Sequence, residues 1–390
     1  MISLRLGSVV SDDCIWLMRI LFFELFLKTP FKLLLLMTFI SYTILSLFQT
    51  ILFLQKIDAY YFIKFLPMYA GSYFILLSLY SIPHMIKAIL SIEEILDWSK
   101  INRAGPKIEK WIKMEALYLN SFVLFTTVLS YVSAVTHAIP IEDDNDIFYP
   151  LAIFEEFFPQ CQNVLSSLYR ATFFLVPLIM STPCYLVIYI TSKMRFQFYM
   201  LLHFLKRINS GYETSDINQL INDRQYQEEI KKRLKFCVKW HTQLYEIFHS
   251  RNRQLNRFIF LFSVMGAVLG ISCMLFFFSF QGSFEGRYTR LVTMIISMVS
   301  IVMHTALAGQ LVENISSEAF EALKQADWHC WNSENKKVYL IFLGFARNTF
   351  KVKFSDSMSL NYELVVSIFK WIYSFASVMV QLKDIDYSDQ

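Results

Sequence analysis

Long apolar blocks separated by charged stretches organise the sequence. Blocks at about Phe31 to Leu54, Phe65 to Ile86, Ala116 to Ile139, Ala171 to Ser192, Phe258 to Phe280, Leu291 to Leu311 and Tyr362 to Lys383 each hold about twenty residues. At ~1.5 Å of rise per residue, each is long enough to cross a ~30 Å hydrocarbon core. The pattern predicts an all-α membrane protein with seven transmembrane helices. It divides the chain into an amphipathic N-terminal segment (1–32), four spans (33–192), a polar helical segment (193–257), two spans (258–311), a second polar helical segment (312–361), a last helix (362–383) and a tail (384–390).

The last helix carries the clearest polar signal inside an apolar block. From Leu364 to Leu382 its only charge is Lys370. Rotation of about 100° per residue gathers Ser367, Lys370, Ser374, Val378 and Gln381 into an arc of roughly 80°. A lysine facing lipid near mid-membrane costs about 2.5–3.5 kcal/mol or more, so this stripe is expected to meet water, protein or a pore. A helix end with a snorkelling lysine would give the same pattern.

The polar segments are patterned too. Ile230, Leu234, Cys237, His241, Leu244 and Phe248 follow alternating four- and three-residue steps, the spacing of a helical seam. A long helix is expected to extend from the fifth span, packed on the chain's own helices or on another subunit. Phe320, Leu323 and Ala326, then the run Val338 to Phe345, predict further short helices in the same body. Trp328, His329, Cys330 and Trp331 lack metal-ligand spacing, so neither a metal nor a cofactor is expected. At the N-terminus, Ile15 to Leu27 is broken by Arg19 and Glu24, which reads as an amphipathic helix on the membrane surface and not a signal peptide. Pro177 and Pro183 are expected to kink the fourth span.

Composition agrees with the blocks: of 390 residues, 55% are apolar and 17% aromatic, with a mean hydropathy of +0.41. The net charge of +4 is small and its basic residues are scattered, which speaks against a nucleic-acid partner. Their distribution does set an orientation. With a cytosolic N-terminus, the inner segments hold 29 Lys and Arg against 6 outside, so the positive-inside bias predicts an extracellular C-terminus. The loop from Pro140 to Arg170 is acidic, with Asp144 among its carboxylates and Arg170 its lone basic residue. This orientation opposes a G-protein-coupled receptor. No span carries the paired carboxylates or inverted repeat of a transporter or membrane enzyme.

The C-terminal quarter resembles the spaced signature of the insect odorant receptor family. It is carried by Gly309, Gln310, Leu311 and Val312; Ser317, Ala326 and Trp328; Lys336, Ala346 and Arg347; and Ser359, Leu360, Phe369, Lys370, Tyr373 and Ser374. Thr349 and Ser355 stand where the family usually has a proline and a glycine. The resemblance implies an odorant-gated, non-selective cation channel of four subunits, usually including a co-receptor, in the plasma membrane of sensory neurons. The last helices would line the pore, with Val378 and Leu382 as its constriction and Gln381 beside it, and the inner helices would form an anchor. The ending from Val378 to Leu382 is similar to that of the co-receptor, but the co-receptor's second cytosolic segment is longer. The chain therefore resembles a ligand-specific tuning subunit. A gustatory receptor channel of the same superfamily is the alternative.

The resemblance places the odorant site in the outer half, among spans two, three, four and six. A small volatile needs aromatic and aliphatic walls with one or two hydrogen-bonding groups. The candidates by residue type are Met68, Tyr69, Ser72 and Tyr73; Tyr131, Val135, Thr136 and His137; Phe173, Phe174, Pro177 and Met180; and Met294 and Met298. Any of these is equally at home as bundle core.

Overall fold

The computed structural model describes residues 13–55, 58–95, 100–141, 144–145, 147–212, 217–279, 285–353 and 358–388, with side chains undescribed at 59–61, 93–95, 250–256, 277–279, 285–288, 376 and 379–388. After a short N-terminal helical segment within residues 13–27 come α1 (Thr29–Gln55), α2 (Ala59–Ile95), α3 (Pro106–Ala138), α4 (Tyr149–Phe157), α5 (Gln162–Thr172) and α6 (Val176–Leu205). They are followed by α7 (Ile217–Asn222), α8 (Arg224–Ser279), α9 (Glu285–Lys324), α10 (Ser333–Ala346) and α11 (Tyr362–Ser388). Six helical stretches among the described residues are long and apolar enough to cross a membrane. The seventh expected span coincides with α11, whose last side chains, including those of Gln381 and Leu382, lie outside the described residues.

The bundle is built around α6. It packs against α2, α3, α8 and α9, and 22 of its 30 residues are buried. Pro177 lies in its first turn, where a missing N–H leaves no hydrogen bond broken, so this proline opens the helix instead of kinking it. The turn Phe173 to Leu175 separates α5 from α6, and α6 continues past the expected boundary at Ser192 to Leu205.

One end of the bundle continues into a helical body. α8 is a single helix of 56 residues, and its seam residues Ile230, Leu234, Cys237, His241 and Leu244 are buried. The seam packs within the chain: the His241 ring sits 5.5 Å from Phe342 and Phe345 of α10 and from Phe350, and 6.3 Å from Phe198 of α6. Burial among these rings pushes the His241 imidazole down to about 4, because charging it there forfeits hydration. Farther along the body, Trp331 donates from Nε1 to Asn209 at 2.8 Å.

The N-terminal segment packs one apolar face into the bundle while Trp16 and Ile20 stay exposed. Ile15, Met18, Phe22, Phe23 and Phe26 are buried, and the segment packs against α3 and α6. Its charges are matched locally: Asp13 meets Lys193 at 2.7 Å and accepts from Tyr189 at 2.8 Å, and Arg19 reaches Glu24 at 3.0 Å. Burial acts to raise the Asp13 carboxyl, but Lys193 and the bonds from Tyr189 and Ile15 outweigh it, leaving the group below its usual value.

Several residues that carry the family resemblance turn out to hold this fold together. A side chain at Gly309 would collide with the Leu360 carbonyl oxygen, so glycine lets the chain leading into α11 lie directly on α9. The Lys336 ammonium sits 5.8 Å from the centre of the Trp328 ring, a cation–π contact. Val312 and Ala346 are buried.

Candidate functional site

At the end opposite the helical body, the acidic loop folds into a roof. Pro150 starts α4, whose apolar residues Tyr149, Leu151, Ile153 and Phe154 turn inward. The roof is latched by Asp144, which is buried and pairs with Arg290 of α9 and with Arg170, each at 2.6 Å. Arg290 also donates from Nε to the Thr136 carbonyl at 2.7 Å and from Nη2 to the Ile139 carbonyl at the end of α3. A cation at a helix C-terminus is favoured by the exposed carbonyls there. Three charged residues thus bind loop, α3, α5 and α9 into one cap. The Arg290 guanidinium lies 5.8 Å from the Phe148 ring, and Phe148 is 5.3 Å from Phe173.

Beneath the roof lies a cavity of about 390 Å³, within the range of small-molecule sites. Tyr42, Phe148, Tyr169 and Arg290 contribute to its roof end. Of the expected ligand contacts, Met68, Ser72, His137, Phe173, Pro177, Met180, Met294 and Met298 line the wall. Tyr69, Tyr73, Tyr131, Val135, Thr136 and Phe174 do not. Tyr69 and Tyr73 share a hydrogen bond to Thr50 Oγ1, at 2.7 and 3.1 Å. Tyr131 packs against the bundle core, Val135 and Phe174 are exposed, and the Thr136 hydroxyl donates to the Ser133 carbonyl.

The wall is mostly aliphatic and aromatic with a few polar groups. His137 Nδ1 lies 2.8 Å from the Ser133 carbonyl. Only a protonated nitrogen bonds a carbonyl, so Nδ1 carries hydrogen and Nε2 is left as an acceptor. Ser130 and Ser297 join their hydroxyls at 2.5 Å across α3 and α9.

The sequence reading did not anticipate the contributions of α8 and α11. Phe262, Gly266 and Gly270 of α8 and Leu364, Val365, Ile368, Phe369 and Ile372 of α11 also line the cavity. Helical rotation sets the centre of the α11 group about 150° from the stripe of Ser367, Lys370, Ser374 and Val378. Lys370, Ser374 and Val378 are exposed and Ser367 is half-buried. One helix therefore has its apolar back on the cavity and its polar front outside the bundle.

The fold and cavity define a multi-pass helical membrane protein with a mostly apolar cavity of small-molecule size. The family model described as 7tm Odorant receptor matches residues 103–373, and the chain belongs to that family: it is a receptor, not an enzyme. Among solved structures, it is similar to the insect olfactory receptor OR5 from Machilis hrabei in complex with eugenol, with a TM-score of 0.70 at 11% identity over 97% of this chain and 99% of that one. A second structure of that receptor gives 0.68 at 11% identity, with the same coverage. At this identity the likeness concerns the fold. No curated protein matched the chain by sequence.

Proposed function

We propose that the chain is the ligand-specific subunit of an odorant-gated, non-selective cation channel. The observation that carries this reading is α11, with Ile368 and Ile372 on the cavity and Lys370, Ser374 and Val378 facing away from it. A ligand touching the back of such a helix has a short mechanical path to a pore on its front. It opens the pore only through a preference for the open-state cavity. Burying about 200 Å² of apolar ligand surface is worth roughly 5 kcal/mol before immobilisation is subtracted, so affinity should be nearer micromolar than nanomolar.

In this reading the odorant is bound by the eight lining residues Met68, Ser72, His137, Phe173, Pro177, Met180, Met294 and Met298. The pore is built from Ser367, Lys370, Ser374, Val378, Gln381 and Leu382, contributed jointly with a co-receptor in a heterotetramer. The N-terminus is cytosolic, the C-terminus is extracellular, and the assembly sits in the plasma membrane of sensory neurons. Similarity to a receptor solved with eugenol supports a small volatile as ligand.

The test is current from cells expressing the chain alone and with the co-receptor, challenged with an odorant panel. Ligand-dependent cation current only in co-expressing cells is expected. Current from the chain alone, triggered by tastants, would favour the gustatory alternative. An epitope tag after Gln390 should be reached by antibody on intact cells; inaccessibility there, with access to a tag before Met1, would overturn the orientation.

A further inference from the structure

The cavity is longer than a small volatile requires. It is lined from Arg290 to Thr305 of α9, fifteen helical steps that span ~22 Å. A volume of about 390 Å³ spread over that length makes a slot, not a chamber. At the roof end, Arg290 uses Nε and one N–H on each terminal nitrogen in its hydrogen bonds. Two N–H groups remain, and the Arg290 guanidinium and the His137 ring, with its acceptor Nε2, both pack on Phe148. Midway, Met180, Met294 and Met298 pack against Leu269 and Cys273 of α8. Methionine is the apolar side chain that adapts most readily to different occupants. Past this neck the walls are mainly apolar, the hydroxyls of Ser263 and Thr305 being turned back onto the carbonyls of Ile259 and Ile301, and Gly266 faces open space, with no atom of another helix within 4 Å of where a Cβ would stand. One turn away, a Cβ on Gly270 would lie 3.1 Å from Cδ1 of Ile372 on α11.

We propose that the inner half of this slot is a chain-length subsite, and that the receptor's ligand class is the straight-chain aliphatic with one oxygenated end. The oxygen binds between Arg290 and His137, and the alkyl tail runs through the methionine neck to lie beside Gly266 against Ile368 and Ile372. Only a tail long enough to pass the neck reaches the pore helix, so chain length becomes the quantity that sets efficacy. This rests on the odorant-receptor reading of the same cavity.

The experiment uses the full chain with its co-receptor and the alkanols from n-butanol through n-dodecanol, on wild type and on Gly266→Ala and Gly266→Leu. Wild-type potency should rise with length to a cut-off. Gly266→Leu fills the open space and should move that cut-off two or three carbons shorter, with at least a tenfold loss for the longest active alcohol and less than a twofold change for the shortest. Gly266→Ala should give a smaller shift in the same direction. Equal loss at every length, or an unchanged profile with normal surface expression, would overturn the subsite. Alkanol-dependent thermal stabilisation of the purified chain provides a readout without gating. If co-expressing cells give no current while stabilisation still follows chain length, the channel reading fails and the subsite stands. Stabilisation independent of length, with odorant currents intact, has the opposite meaning.

Discussion

The helices α1 and α6 are nearly equal by hydropathy and opposite in use. The most apolar stretch of α1 and that of the segment Pro159–Leu205, which contains α6, have mean hydropathies of 1.9 and 2.0, yet 17% of one is buried against 61% of the other. In α1 the buried positions are polar or amphipathic, Thr38, Tyr42, Ser46 and Gln49, while Leu33, Leu36, Ile44 and Leu47 face outward. Lipid is as apolar as leucine, so nothing drives those leucines inward. Of the polar residues that go in, Tyr42 bonds across to Thr172 at 2.9 Å and Thr38 bonds back to the Leu34 carbonyl of its own helix. In α6 all sides are covered, and charged residues are tolerated because each meets an opposite charge: Lys193 with Asp13, and Arg195 with Glu115. In a membrane bundle, burial follows polarity and packing, and hydropathy sets only length.

The contrast is broken most sharply by one substitution made twice. Ile188 is fully buried in α6 and Ile44 is 61% exposed on α1. Ile188→Ala should destabilise the purified chain by about 2–5 kcal/mol through the cavity it leaves, and Ile44→Ala by less than about 0.5 kcal/mol. Equal melting temperatures for the two variants would refute the assignment of lipid-facing and central helices. A charge reverses the ranking of α1: Ile44→Asp should cost about 2.5–3.5 kcal/mol of insertion free energy, read as loss of membrane-integrated protein.

The body end of α6 makes a third difference, one of pH. His241, facing Phe198, titrates at about 4 in the folded chain and near 6.5 when unfolded. Between these values the unfolded state binds more protons. Stability from this group is therefore intact above about pH 6.5 and lost as pH falls toward 4, by up to about 3 kcal/mol. Thermal melts at neutral and mildly acidic pH should reveal the loss, and His241→Phe should remove that part of it. Tyr42→Phe on α1 deletes one hydrogen bond and should cost about 0.5–1.5 kcal/mol; no change in melting would mean that the bond to Thr172 does not hold the polar side of α1.

What the sequence made legible follows the same division. The seam from Ile230 to Leu244 was visible because a body outside the membrane must sort apolar from polar residues at helical period. The front of α11 was visible because Lys370 and Ser374 are costly against lipid. The roof was hidden: Phe148 sits in an acidic loop, and only its ion-pair geometry shows that Asp144, Arg170 and Arg290 belong together. Their signal was the lone arginine of that loop and an arginine just before span six. The back of α11 was hidden as well, since Ile368 and Ile372 look like any lipid-facing isoleucines until α8 is placed behind them. Tyr69, Tyr73 and Tyr131 were chosen by chemistry, but their places in the bundle are set by partners such as Thr50 that no periodicity identifies.

The claim that α11 separates ligand from pore is tested most directly by cysteine substitution along that helix in the channel co-expressed with its co-receptor. Cysteines at Ser374 and Val378 should react with a water-soluble thiol reagent, faster when odorant is present, and change the current. Cysteines at Ile368 and Ile372 should stay unmodified while shifting odorant potency. Modification at Ile368 or Ile372, with none at Ser374 or Val378, would mean that the helix faces the other way.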